Sequence, residues 1–150
     1  MSLLLVLALI GAPLSAGSAS ATPPAAVQAG PRNVPVGDPL RRPILDALRP
    51  AIQRDLGGQP VQFMVDRLRV QGDWAFYAGS VQQPNGRPID FSKTRYASAL
   101  ENGVFDGPGT FALLRRSAGT WRVVTFVVGP TDVAYLAWPD EHGAPMRLFE

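Results

Sequence analysis

The chain's one histidine, His142, lies in the run Pro139-Asp140-Glu141-His142-Gly143-Ala144-Pro145. With Asp140 or Glu141 orienting the imidazole, it would be a general base. Sequence neighbours do not converge on one point, and Gly143 loosens the segment, so the run reads as a solvated stretch near the end of the chain. One imidazole beside adjacent carboxylates also lacks the spaced ligands of a metal site. The aspartates Asp66, Asp73, Asp90, Asp106 and Asp132 are scattered. Two of them facing each other across a cleft would suit glycoside hydrolysis, but their spacing does not pair them. Asp106-Gly107-Pro108-Gly109 is glycine-rich but leads into a strand pattern, so it reads as a turn. No Gly-x-Ser-x-Gly, P-loop or dinucleotide fingerprint occurs. With no cysteine in the chain, thiol nucleophiles, disulfides, Cys-ligated zinc and iron–sulfur clusters are excluded. Neither a metal nor another cofactor is expected, and no catalytic residue is assigned.

Aromatic residues make the more suggestive group. Trp74, Phe76 and Tyr77 share one predicted strand, and Tyr96, Phe105, Trp121, Phe126, Tyr135 and Trp138 add to them. Alternation puts Trp74 and Phe76 in the core and turns Tyr77 outward. Tyr77, Arg69, Arg95 and Tyr96 would then line a concave surface for a ligand or peptide. The competing reading is ordinary core packing and ordinary surface.

Around these residues the chain divides into three stretches. Met1 is followed by an apolar run, Leu3 to Ile10, and by Ala19-Ser20-Ala21. This is the layout of a secretory signal peptide over residues 1–21, although no Lys or Arg precedes the apolar run. The run is well short of the ~20 residues that span a bilayer, so membrane attachment is expected only through an uncleaved signal. Residues 22–36 carry four prolines and no apolar period, the pattern of a flexible linker. Residues 37–150 form a single domain. Export predicts a periplasmic or extracellular location, and the high Ala, Gly, Pro and Arg content with a lone lysine, Lys93, points to a GC-rich bacterial genome. The net charge is +2, with 14 basic against 12 acidic residues. No basic run or aromatic-interleaved basic stripe is present, so no nucleic-acid role is expected.

Within the domain, Asp38 and Pro39 mark a helix start, and Leu40, Ile44, Leu48, Ile52 and Leu56 form one apolar stripe ending at Gly57-Gly58. Pro43 and Pro50 each remove a helical hydrogen bond, so the helix starts late or bends. Val61–Val70 reads as a strand whose apolar phase switches at Asp66-Arg67, the mark of a bulge. Gln71-Gly72-Asp73 turns it into a second strand, Trp74–Val81. A short helix is expected over Ser92–Asn102. Strands follow over Thr110–Ser117 and Thr120–Gly129, joined by Ala118-Gly119. The last strand is apolar on both parities and is expected to be central and most buried. A final helix is placed at Asp132–Trp138, with an irregular tail over Pro139–Glu150. The expected fold class is α+β: an N-terminal helix on a curved four-stranded antiparallel sheet.

That arrangement resembles cystatin-like and reduced NTF2-like domains. The segments Leu68-Arg69-Val70-Gln71-Gly72-Asp73-Trp74-Ala75-Phe76 and Gly129-Pro130-Thr131-Asp132-Val133-Ala134 are similar to segments of small proteins exported by proteobacteria. The likeness covers residues 36–149. It implies fold and export and carries over no catalytic residue.

The leading functional expectation is a non-catalytic binding or interaction module of the cell envelope, taking a small ligand or a protein partner. One rival is an NTF2-like hydrolase or isomerase with an acid beside a tyrosine, such as Asp90 or Asp132 near Tyr96 or Tyr135. Another is a structural subunit of an envelope complex.

Overall fold

The computed structural model describes residues 29–150. The signal-peptide pattern and residues 22–28 of the linker lie outside the described residues. Five antiparallel strands form one open sheet in sequence order: β1 (Arg32–Asn33), β2 (Gln62–Gln71), β3 (Trp74–Gln82), β4 (Gly109–Ser117) and β5 (Thr120–Val128). The helices are α1 (Arg41–Asp55) and the short α2 (Ala97–Glu101) and α3 (Trp138–His142), with 3-10 turns at Phe91–Lys93, Ala134–Ala137 and Met146–Leu148.

This corrects the four-stranded sheet expected of a cystatin-like or reduced NTF2-like domain. The extra strand comes from the segment read as linker. Arg32 and Asn33 pair with Val70 and Arg69, and the Val34 N–H donates to the Leu68 carbonyl at 2.8 Å. Val34 is itself buried in the core. The pairing is made by backbone groups, so no side-chain period announced it.

The α1 stripe behaves as its spacing dictates: Ile44, Leu48, Ile52 and Leu56 are all fully buried against one face of the sheet. The helix starts late, at Arg41. Asp38 accepts the Leu40 N–H at 2.9 Å on Oδ1 and the Arg41 N–H at 3.0 Å on its carbonyl. Pro43 therefore falls within the first turn, where an N–H has no helical acceptor to lose. Pro50 lies inside the helix on its exposed side.

Two bulges set which residues face α1. In β2 the register slips between Val65 and Arg67, so Phe63, Val65, Leu68 and Val70 all reach the α1 side. In β5 the register slips at Val124, so Trp121 and Val123 share that side with Phe126 and Val128. This second bulge explains why β5 is apolar on both parities. It is an edge strand, not the central one; β3 holds the centre.

The opposite face is covered too. The tail expected to be irregular forms α3 and a 3-10 turn, and Trp138, Ala144, Leu148 and Phe149 pack on Phe76 and Leu113. The Phe76 and Phe149 ring centroids are 4.9 Å apart. Arg67 and Arg69 of β2 hold this strap by its backbone, donating to the Phe149 carbonyl at 3.0 Å and the Glu150 carbonyl at 2.7 Å. The strap explains the burial of Phe76, while α1 covers Tyr77 and overturns its outward placement. A strand covered on both faces buries both parities, and Phe76 and Tyr77 are each fully buried.

Candidate functional site

The four residues expected to share a concave surface are dispersed. Tyr77 lies in the α1-side core, its hydroxyl shared between the Ser80 carbonyl at 2.9 Å and the Met64 carbonyl at 3.3 Å. Burial first, then the nearby Asp66 charge, pushes its phenol well above the usual range. Arg69 is engaged with the C-terminal strap. Only Arg95 and Tyr96 remain together. The Tyr96 hydroxyl donates to Asp55 Oδ2 at 2.9 Å, and Arg95 approaches Asp55 Oδ1 at 3.4 Å. Burial and the bond to Asp55 raise the Tyr96 phenol. The Tyr96 ring meets Phe105 in a tilted contact, and Phe105 meets Phe91. The cluster ties α2 to the C-terminal end of α1.

The acid–tyrosine pairs required for the enzymatic reading form differently from expectation. Asp90 is bound by Lys93 at 2.9 Å, and Tyr135 packs among Phe76, Phe111 and Phe149. The acid beside Tyr96 is Asp55. His142 approaches only Glu141, at 3.8 Å. Among the described residues, no three His, Asp or Glu side chains gather into a metal-holding group.

A different constellation emerges from the sheet register. Gln71 pairs with Trp74, Trp74 with Arg115, and Arg115 with Arg122. Directly opposed residues of antiparallel strands project from the same face. The four side chains thus form one row across β2, β3, β4 and β5, on the face that the strap covers further along. At ~4.8 Å per strand the row spans roughly 14 Å.

Each member is held for a different reason. Gln71 is 8% exposed, and its carboxamide oxygen is buried with no hydrogen-bond partner. Such a group costs about 1–3 kcal/mol when left unmet. Trp74 is half-buried against the strap-side cluster. The Arg115 guanidinium lies 4.9 Å from the Trp74 ring centroid, in cation–π contact. Arg122 is exposed, and among the described residues neither Arg115 nor Arg122 has a carboxylate partner. The nearest acid on the two turns, Asp73, is taken by Arg116 at 3.1 Å, on the α1 side of β4.

A cavity of about 490 Å³ opens on this row, lined by Gln71, Gly72, Asp73, Trp74, Arg115, Gly143 and Pro145. A second hollow of about 580 Å³ shares Asp73 and Arg115 with it and is walled by the β4–β5 turn. Carboxamide and indole carry no proton that titrates near neutrality, and a guanidinium is a permanent cation. What this arrangement offers is recognition: an acceptor, an aromatic edge and two unneutralised cations in line.

Sequence reasoning missed all four residues of the row. Part of the signal was present. Counting outward from Ala118-Gly119 gives Arg115 opposite Arg122; Gln71 opposite Trp74 follows once the first turn is Gly72-Asp73, one residue shorter than the sequence reading made it. The link between the two hairpins, Trp74 opposite Arg115, depends on how the long 83–108 connection returns, and no local signal sets that.

Comparison of the chain with protein-family models, curated proteins and solved structures finds no match.

Proposed function

We propose that this chain is a non-catalytic binding module of the cell envelope that takes its ligand or partner on the Gln71–Trp74–Arg115–Arg122 row. The observation that carries the reading is Arg115, stacked on Trp74 and without a carboxylate partner among the described residues, at an open cavity that Gln71 also lines. Placement in the envelope rests on the leader-like pattern of residues 1–21. The space between α1 and the sheet is filled by Ile44, Leu48, Ile52, Leu56 and Tyr77, which favours the surface row over an interior pocket.

Native mass spectrometry of the chain, recovered gently from the periplasm of a bacterial host, tests the reading alongside pull-down from an envelope extract. A retained small molecule or a captured protein is expected, and it should be lost from a Trp74→Ala/Arg115→Gln variant. Binding that survives this double substitution would overturn the assignment to the row.

A further inference from the structure

We propose that the row takes an extended acidic peptide segment, laid across the strands from Gln71 to Arg122. The inference rests on the binding reading above and names its ligand. Arg115 and Arg122 stand directly opposite each other on β4 and β5, and opposed like charges destabilise a sheet pair. Neither is neutralised by a carboxylate among the described residues. A carboxylate from outside, seated between them, converts that repulsion into two charge-assisted contacts. Stacking on Trp74 holds the Arg115 guanidinium in place. Its planar fork of N–H donors matches a carboxylate, and little freedom is left to lose on binding.

Gln71 lines the cavity at the other end of the row, and its carboxamide can pair with a peptide group. It stands two strands from Arg115, roughly 10 Å away. An extended peptide advances ~3.3 Å per residue and carries an N–H at almost every one. A carboxylate on the arginine pair therefore brings an amide N–H within reach of Gln71 about three residues along. A single phosphate would meet the arginines and leave Gln71 unmet. A sugar ring stacks on an open aromatic face, whereas Arg115 already lies against the Trp74 ring.

Fluorescence anisotropy on the full chain tests this with a labelled short peptide bearing glutamate at alternate positions. The control peptide has glutamine at those positions. The glutamate peptide should bind about tenfold tighter or more, the scale of losing a charge-assisted hydrogen bond. Arg115→Gln and Arg122→Gln should each weaken it about tenfold, Gln71→Leu severalfold, and the remote Arg87→Gln not at all. Unchanged melting temperatures would show that the exposed-arginine variants fold. Equal binding of the two peptides, or indifference to Arg115→Gln, would overturn the acidic-peptide assignment. Inorganic phosphate or an oligouronate that shifts the Trp74 indole N–H signal when the glutamate peptide does not would also overturn it, while leaving the binding reading intact. No shift with any of the three probes, together with an empty pull-down, would remove both.

Discussion

Gly79 of β3 pairs with Val65, the last residue before the β2 bulge. A Cβ built there would fall on the Met64 carbonyl oxygen, deep inside van der Waals contact, and 2.8 Å from the Tyr77 hydroxyl. Met64 pairs with Ser80 and Val65 with Gly79, so relieving the clash means parting β2 from β3 next to the irregularity. Gly79→Ala should then weaken the hydroxyl's bonds to Ser80 and Met64, at about 1 kcal/mol each. Forced displacement in a packed region adds about 1–3 kcal/mol. Restricting the unfolded chain returns about 0.4–1 kcal/mol. The net expectation is a loss of about 2–5 kcal/mol, read as a lower midpoint in guanidinium unfolding at unchanged slope. Tyr77→Phe removes one of the two clashing partners. The double variant should therefore cost less than the sum of the singles, a coupling of about 0.5 kcal/mol or more. If Gly79→Ala lies within about 0.5 kcal/mol of the parent, the close approach of β2 to β3 at this point is wrong.

Three further outcomes follow from the same geometry. Ala118 holds φ 49 beside Gly119 at φ 77 in the two-residue β4–β5 turn, and a left-handed alanine costs about 1 kcal/mol. Ala118→Asn, which restores the Asn-Gly pair this turn favours, should raise stability by about 0.5–1 kcal/mol in the same assay. The Tyr77 and Tyr96 phenols are raised above the free value of 10.0, chiefly by burial and for Tyr96 also by Asp55. The folded chain keeps these protons where the unfolded chain loses them. Their contribution is thus full below pH 10 and drains as pH rises toward the folded-state values. Stability measured against pH should fall above about pH 10, and Tyr96→Phe should flatten the fall. Phe149→Ala opens a hole in the strap beside Phe76 and should cost about 3–5 kcal/mol. A cost under about 1 kcal/mol, by thermal unfolding, would mean the strap is not part of the cooperative fold.

The sequence by itself determined the elements whose signal is local. The α1 stripe from Ile44 to Leu56, the β2 bulge at Asp66 and the Ala118-Gly119 turn stand where spacing and turn chemistry put them, and the first hairpin turn is one residue shorter than read, with Gln71 in β2. These depend on side-chain period and on a few residues' dihedral preferences, which are written in consecutive letters. Tertiary structure decided what depends on pairing at a distance. It recruited Arg32 and Asn33 as a fifth strand through backbone hydrogen bonds alone. It put β5 at an edge, although its double-sided apolarity reads as a centre, because the bulge at Val124 shifts the phase midway. It folded residues 138–149 over the second face, burying Phe76 there while α1 buries Tyr77 on the first. The candidate site belongs to this second kind. Gln71, Trp74, Arg115 and Arg122 lie on four different strands and meet only because each register places one beside the next. Register across a long connection is a property of the packed sheet, where one residue of slip would turn the row to the other face.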